Sequence, residues 1–249
     1  MTLQITVLGA SGTYAGVDGA CTGFLVRGGD STVMMDAGPG TLANLQRHIR
    51  LSELDAVVLS HSHPDHWLEL PVLRNALRYV LSIDGLALYA TAETLDMADH
   101  LIGSAMSPTF RDHTITDGST FRIGDQQWLC SRTDHSVETL GFRVDCDGRS
   151  FAYTADTGPG WSIAELCPPE LGPVDLALSE ATFLHDAAER NPVHLSARQA
   201  GDLAREAGAR RLVLTHILPG RSAEAAALEA AAAYGAPVDV ATPHLTFDV

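Results

Sequence analysis

Three histidines and an aspartate lie close together in the segment His61-Ser62-His63-Pro64-Asp65-His66. An apolar run at residues 57–59 comes directly before this cluster, and buried strands do not usually end in such a group. Neutral imidazoles and a carboxylate are ligand types that bind zinc or a similar divalent cation. A strand would hold one end of the group, and a turn at Pro64 would direct the side chains toward one point. The segment therefore predicts a metal-binding turn.

Three later residues of the same chemical types each follow a predicted strand. His135 follows the strand predicted at 127–132, Asp156 follows the one at 150–154, and His216 follows the one at 211–215. Each residue alone is an ordinary loop side chain. Because strand ends at one edge of a sheet can converge in space, the three together with the first cluster predict a complete set of ligands.

The pattern resembles the metallo-β-lactamase superfamily, and the resemblance extends over the whole chain. The cluster at 61–66 matches the signature His-x-His-x-Asp-His, and the three later residues match the later ligand positions. Asp36 matches the aspartate ahead of the signature that supports the histidine loop. The resemblance implies an α/β fold, a four-layer αββα sandwich, and a site that binds two divalent metal ions.

The resemblance also implies how the ligands are shared between the two ions. The first metal would bind His61, His63, His135 and a bridging Asp156. The second would bind Asp65, His66, Asp156 and His216. The ligand types favour zinc, and manganese or iron would also suit the oxygen-rich second position.

Two further segments resemble the ribonuclease Z-like branch of this superfamily. Ser179-Glu180-Ala181-Thr182 resembles its Glu-Ala-Thr motif, and His194-Leu195-Ser196 resembles its His-Ser-Thr motif, with Ala197 at the threonine position. A carboxylate such as Glu180 can fix the tautomer of His194 and keep the imidazole cationic. We therefore expect phosphodiester hydrolysis, in which His194 protonates the leaving alkoxide and Asp65 accepts a hydrogen bond from the nucleophile.

The composition favours a small phosphodiester substrate over a large nucleic acid. The chain has 16 Lys and Arg against 31 Asp and Glu, a formal net charge of −15, which repels phosphate backbones. The ribonuclease Z family usually carries a basic, flexible arm that grips tRNA, whereas residues 161–172 are short and acidic. The pattern at 8–12, 59–61, 69–71 and 214–217 also resembles actinobacterial cyclic-nucleotide phosphodiesterases. The leading hypothesis is hydrolysis of 3′,5′-cyclic nucleotides, such as cyclic AMP, to 5′-monophosphates.

Other functions stay open at this point. One is a tRNA 3′-end processing endonuclease of the ribonuclease Z type, and another is a non-catalytic metal-fold module that binds a nucleotide or a protein. A β-lactamase would not explain Glu180 and His194 as well. A flavo-di-iron redox site would, by family resemblance, carry glutamate where this sequence has His63.

The elements that must position these residues are predicted in two similar series, strands first and then strand–helix units. Strands are predicted at 3–8, 22–27, 32–35, 56–59, 86–90, 120–123, 127–132, 139–144, 150–154, 174–179, 211–215 and 238–241, the last being the final strand. Helices are predicted at 41–49, 71–80, 92–102, 197–207 and 223–234. Thr91 is a predicted N-cap, and Ser196 with Gln199 forms a predicted capping box. We expect one domain, residues 1–249, made of two βα halves that pack sheet on sheet.

Composition also restricts the cellular setting. No apolar run reaches the roughly 20 residues that cross a bilayer, and the N-terminus lacks a basic region followed by a long apolar segment. The four cysteines are scattered without a Cys-x-x-Cys pair, so we expect no disulfide framework and a cytoplasmic location. Homodimers are common in this branch by resemblance, although no sequence stripe demonstrates one here.

Several aromatic residues and histidines have no assigned role. Phe110, Trp128 and Trp161 fit either a base pocket or the core. Four histidines are interpreted as surface or helix-end residues: His48, His100, His113 and His185. The C-terminal His244 could instead reach the site.

Overall fold

Two sheets of seven strands form the centre of the computed structural model, which describes residues 3–103, 106–185 and 193–249. The first sheet contains β1 (Gln4–Gly9), β2 (Gly23–Gly28), β3 (Ser31–Met35), β4 (Ala56–Val58), β5 (Leu86–Ala90), β6 (Phe110–Thr114) and β14 (Thr246–Asp248). The second contains β7 (Thr120–Ile123), β8 (Gln126–Arg132), β9 (Leu140–Cys146), β10 (Arg149–Tyr153), β11 (Leu176–Glu180), β12 (Leu212–Thr215) and β13 (Asp239–Val240).

Both sheets are mixed and follow the same plan. In the first, β1, β2 and β3 pair antiparallel, and the pairs from β3 to β6 are parallel. In the second, β7 to β10 pair antiparallel, and the pairs from β10 to β13 are parallel. Strand β14 returns to the first sheet and pairs antiparallel with β1. The carboxyl ends of parallel strands lie at one edge of a sheet, where open α/β sheets usually bind ligands.

Helices connect the parallel strands. They are α1 (Thr41–Leu45), α2 (Pro64–Trp67), α3 (Leu70–Asn75), α4 (Ala92–Ile102), α5 (Ala197–Glu206) and α6 (Ala223–Tyr234), and α3 continues into a π-helical turn, Ala76–Leu81. The Thr91 side chain accepts a hydrogen bond from Thr94 N at the start of α4, and Ser196 forms the capping box with Gln199 at the start of α5. Both helix starts confirm the sequence prediction.

Three apolar clusters separate four layers. Side chains alternate between the two faces of a strand, so neighbours along β2 belong to different clusters. Phe24 lies in the cluster shared by both sheets, with Phe142 of β9, while Leu25 packs with Leu73 of α3. A third cluster joins the outer face of the second sheet to α5 and α6. The arrangement confirms the αββα sandwich. In the part of the chain that the structure describes, no helix is long and apolar enough to span a membrane.

A few elements differ from the prediction. Helix α1 ends at Leu45 rather than at residue 49, because the chain turns there. The prediction that 238–241 is the final strand was wrong, because β14 follows it, and β6 was not predicted. Both missed strands show little apolar alternation: β6 buries Phe110, and β14 buries Phe247 between two exposed residues. Phe110, Trp128 and Trp161 are all buried in apolar clusters, which favours their assignment to the core.

Candidate metal centre

Most of the predicted site residues lie at or just after strand ends, while His194 lies in the segment before α5. Asp36 directly follows β3, and the cluster at 61–66 begins after β4 and continues into the short helix α2, which contains Asp65 and His66. His135 follows β8, Asp156 follows β10, and His216 directly follows β12. Glu180 is the last residue of β11.

The structure brings all seven predicted ligands together in two groups. In each group the ligand atoms lie within 4.8 Å of one another: His61, His63, His135 and Asp156 form the first group, and Asp65, His66 and His216 form the second. Asp156 faces both groups. Its Oδ2 lies 3.7 Å from His61 Nε2, and its Oδ1 lies 3.3 Å from His66 Nε2 and 3.4 Å from His216 Nε2.

The unpaired atoms at this centre fit a cation. His61 Nε2, His66 Nε2 and Asp156 Oδ1 are buried, and none has a hydrogen-bond partner among the described residues. A buried polar atom without a partner is costly, and these three lie within the two groups. Imidazole and carboxylate donors in this number suit divalent zinc or a metal of similar preference. The residues present therefore fit a divalent cation.

Burial and neighbouring charges shift the pKa values of the histidines in the centre in opposite directions. Burial lowers the pKa of His61 well below its usual range, and it also lowers the pKa of His63 and His135. Burial likewise disfavours a charged His66, but Asp156 and Asp36 outweigh it and raise the pKa of His66 well above the usual value. Since a ligating imidazole must be neutral, cation binding would release the His66 proton.

Both carboxylates of the centre are held ionised. Burial alone would raise the pKa of Asp65, but the hydrogen bond to His216 and the charge of His66 lower it below the usual range. Burial also opposes ionisation of Asp156, whose pKa His216 and His66 lower well below its usual value. The centre therefore contains two carboxylates whose charge a divalent cation can neutralise once His66 has lost its proton.

Asp36 supports the histidine cluster through hydrogen bonds. Its Oδ1 accepts a hydrogen bond from Ser60 N at 2.8 Å, and its Oδ2 accepts from Ser60 Oγ and Tyr153 Oη, each at 2.9 Å. Oδ2 also lies 2.8 Å from His66 Nδ1, which leaves His66 Nε2 facing the centre. These contacts agree with the supporting role expected for Asp36. The sequence did not assign Ser60 or Tyr153 a role, and only its position before His61 distinguishes Ser60.

The buried Glu180 and the partly buried His194 form a pair beside the centre. His194 Nδ1 lies 3.0 Å from Glu180 Oε1 and 4.0 Å from Asp156 Oδ2. Burial lowers the pKa of His194, but the hydrogen bond and charge of Glu180 outweigh burial and raise that pKa to about 9. One ring nitrogen of His194 also lies within 4.8 Å of ligand atoms from Asp156 and His216. The geometry thus places a cationic imidazole at the edge of the predicted ligand set.

The loop after β1 packs directly against the centre. Thr13 N donates a hydrogen bond to Asp65 Oδ2 at 2.8 Å. A Cβ added at Gly12 would lie 2.6 Å from the carbonyl oxygen of His216, so this position admits only glycine without a shift. Close backbone approach at 9–12, one of two interpretations of the sequence, is what the structure has.

The remaining histidines lie elsewhere. His244 Nδ1 is 3.0 Å from His48 Nε2, so the structure pairs it with His48 rather than with the predicted ligands. His100 is exposed on α4, and His113 stacks on Tyr89 at the end of the first sheet. His185 N donates to Glu229 Oε1.

The chain is similar to known proteins over most of its length. The profile of a family described as "Beta-lactamase superfamily domain" matches residues 31–217. An uncharacterized protein of Mycobacterium tuberculosis is 35% identical over 100% of this chain and 93% of its own length. The probable metallo-hydrolase YhfI of Bacillus subtilis is 29% identical over 86% of this chain and 87% of its own length. A Ribonuclease Z of Myxococcus xanthus is 25% identical over 99% of this chain and 98% of its own length.

Solved structures agree with the fold. The crystal structure of YhfI from Bacillus subtilis superposes with a TM-score of 0.88, at 24% identity and with 98% of each chain covered. A diphosphatase from the PhnP family superposes with a TM-score of 0.79, at 19% identity, covering 99% of this chain and 98% of its own. At these identities the likeness supports the shared fold.

Proposed function

The chain belongs to the beta-lactamase superfamily and is a metal-dependent hydrolase, and from this premise we propose that it hydrolyses 3′,5′-cyclic nucleotides to 5′-monophosphates. The observation that carries the proposal is the Glu180–His194 pair beside Asp156. A cyclic phosphodiester needs a nucleophile on one side of phosphorus and a proton for the 3′ oxygen that leaves. The predicted ligands and His194 offer these two functions side by side.

The donor types at this centre suit zinc best. Divalent cations bound there would neutralise phosphate charge and lower the pKa of a bound water. His61, His63 and His135 would hold a cation on one side of Asp156, and Asp65, His66 and His216 would hold a second on the other side. Asp65 is the carboxylate at the edge of the centre, its side chain 11% exposed, and we expect it to accept a hydrogen bond from the attacking water.

His194 would complete the reaction as general acid. When the water oxygen bonds to phosphorus, the bond from phosphorus to the 3′ oxygen breaks, and His194 gives its proton to that oxygen. Nδ1 is engaged with Glu180, so Nε2 is the nitrogen that can donate. Glu180 itself is fixed by donors from Thr157 N at 2.7 Å and Leu195 N at 3.2 Å, so the imidazole is held in one orientation.

Two features support a small substrate. The net charge of −15 disfavours a polyanion, because approach of RNA to such a surface is repulsive. The segment between Asp156 and Glu180 also contains no extended arm: it forms a 3₁₀ turn, Ile163–Leu166, with Trp161 buried against Ser131. Both observations favour a nucleotide over a folded RNA.

A tRNA 3′-end nuclease is the second candidate. The relative named Ribonuclease Z from Myxococcus xanthus aligns with nearly the full length of this chain, and the Glu-Ala-Thr segment points in the same direction. The chemistry of the two reactions is the same at the centre, so a comparison of substrates must separate them.

The role of His194 can be tested with His194→Ala. We expect metal content to stay unchanged, and we expect hydrolysis of alkyl phosphodiesters to fall about 10²–10⁴-fold, the usual contribution of a general acid. Hydrolysis of 4-nitrophenyl esters should fall much less, because nitrophenolate leaves without a proton.

The matched control is His100→Ala, which removes an exposed imidazole from α4. It should leave both rates unchanged. An equal loss on alkyl and nitrophenyl esters in His194→Ala would argue against the general-acid role.

A further inference from the structure

The hydroxyl of Thr182 lies between two parts of the site. Thr182 follows β11 by two residues, and its side chain is buried. Its Oγ1 is 2.7 Å from Glu180 Oε2 and 2.9 Å from His216 Nδ1. The same atom therefore contacts a predicted metal ligand and the partner of the proposed general acid.

The hydrogen-bonding capacity of these groups determines the direction of each bond. A hydroxyl has one donor and can also accept, whereas a carboxylate only accepts. The Thr182 O–H must therefore be donated to Glu180 Oε2, and Oγ1 must accept the proton on His216 Nδ1. When a cation is bound, His216 would then present the lone pair of Nε2, the nitrogen that lies 3.3 Å from Asp65 Oδ2 and 3.4 Å from Asp156 Oδ1 in the metal-free protein.

We propose that Thr182 is a positioning residue: its hydroxyl fixes the Nδ1–H tautomer of His216 so that Nε2 faces a cation, and ties that ligand to the Glu180–His194 pair. The part that concerns proton delivery rests on the proposed function, whereas the part that concerns the ligand does not. Groups that orient a metal-ligating histidine typically change metal affinity about 10–100-fold when removed.

A purely structural role for this hydroxyl explains the contacts less well. The backbone around Thr182 is held by other bonds, since Ala181 N donates to Thr215 O at 3.0 Å and Ala197 N donates to Phe183 O at 2.9 Å. These bonds join the end of β11 to β12 and to the start of α5 without using the side chain. The backbone of this segment should therefore keep its conformation when the hydroxyl is removed.

The chain offers a matched control. Thr215 precedes His216, is buried, and its Oγ1 has no hydrogen-bond partner among the residues described. Thr182→Val and Thr215→Val make the same isosteric change within the same site region. The first removes the contacts of Thr182 Oγ1 with Glu180 Oε2 and His216 Nδ1 and a longer one with His216 O at 3.3 Å, and the second removes none among the described residues.

The experiment measures zinc affinity of the full chain by competition with a chromophoric chelator. We expect Thr182→Val to bind zinc about 10–100-fold more weakly than the wild type. Thr182→Ser should restore nearly wild-type affinity, and Thr215→Val should match the wild type. Equal affinity in Thr182→Val and the wild type, or a Thr182→Ser affinity as weak as that of Thr182→Val, overturns the proposal.

A second measurement needs no variant. In long-range ¹H–¹⁵N spectra of the zinc-loaded wild type, His216 should carry its proton on Nδ1 and bind through Nε2; a proton on Nε2 overturns the proposal. For proton delivery, the ratio of alkyl to nitrophenyl ester rates should fall in Thr182→Val and recover in Thr182→Ser. If the wild type leaves cyclic AMP intact, the proposed function fails, but zinc affinity and the tautomer still decide the role of Thr182.

Discussion

Asp156 lies between the two groups of predicted ligands. Its Oδ2 faces His61 and its Oδ1 faces His66 and His216, so a single carboxylate serves both groups of predicted ligands. Oδ1 is also one of the buried atoms without a hydrogen-bond partner within the described part of the chain. A residue in this position can hold two cations together, and its removal should affect both.

Asp156→Ala should therefore remove both metal ions rather than one. Metal analysis after dialysis against metal-free buffer measures the effect, with Asp84→Ala as control because Asp84 is exposed in the turn before β5. We expect the control to keep the wild-type metal content. Retention of two ions by Asp156→Ala would contradict the bridging assignment.

In the metal-free protein, Glu180 should determine how the pKa of His194 and the stability of the fold depend on pH. Burial lowers the pKa of His194, but Glu180 outweighs burial and raises it to about 9, so Glu180→Gln should lower this pKa. A raised pKa stabilises the folded state fully below about pH 6.5, and this contribution disappears as the pH rises through about 9. The stability difference between wild type and Glu180→Gln should follow the same course.

Histidine-ring NMR titration of both metal-free proteins measures this directly, and the exposed ring of His100 serves as an internal reference. An unchanged His194 pKa in Glu180→Gln would show that Glu180 does not keep the imidazole cationic.

At the residue scale, the sequence predicted the residues that the structure brings together at the centre but not the residues that support them. These seven residues could be predicted because each follows a predicted strand and the first four share a short signature. Tyr153 could not be predicted, since its bond to Asp36 joins residues 117 positions apart and depends on how two sheets face each other. The contact of Thr182 with His216 has the same origin, because it crosses from β11 to β12.

At the scale of elements, strand ends with unusual backbone geometry aim the side chains. Asp36, Ala155 and His216 each have a positive φ, 56°, 50° and 57°, although none is glycine. This left-handed region is disfavoured for such residues by roughly 1–2 kcal/mol and is concentrated at functional sites. The strain turns the chain sharply after β3, β10 and β12, so that side chains point into the centre.

The loop after β1 should be equally sensitive to shape. In Gly12→Ala, the new Cβ would lie 2.6 Å from the His216 carbonyl oxygen, which should displace the loop and its bond to Asp65. We expect activity to fall at least about tenfold, because misplacement by about 1 Å can reduce a rate about 100-fold.

Gly85→Ala is the control for Gly12→Ala. Gly85 has a φ of +80° but open space around its Cβ position, so this change strains the backbone far from the centre. It should lower thermal stability while activity per folded molecule stays the same. Equal activity in Gly12→Ala and the wild type would show that the loop does not position the centre.

The strands that were predicted well are those with a clear pattern of apolar residues in the sequence. Strands β7 and β9 alternate apolar with other residues, strands β8 and β10 each contain a short apolar run, and all four occur close to their predicted bounds. Strands β6 and β14 lie at the two ends of the first sheet and bury a single aromatic side chain each, so the sequence pattern there is weak. The positive φ angles at the strand ends could not be predicted either, because the chain has Asp36, Ala155 and His216 at these positions rather than glycine.

At the scale of the whole molecule, charge and topology lead to different expectations about the substrate. The fold and the ribonuclease Z relatives are compatible with RNA, whereas the net charge of −15 and the compact segment after Asp156 favour a small anion that the cations can neutralise locally. The repeated plan of the two sheets explains why the site lies between the halves: each half contributes strand ends to the same edge.

The most direct test is a substrate comparison with the metal-loaded protein. Cyclic AMP and a precursor tRNA would be incubated separately with wild type and with Asp156→Ala, and products would be separated by chromatography and gel electrophoresis. The proposed function predicts conversion of cyclic AMP to 5′-AMP by the wild type alone, with the precursor tRNA intact. Trimming of the tRNA 3′ end while cyclic AMP stays unchanged would contradict it.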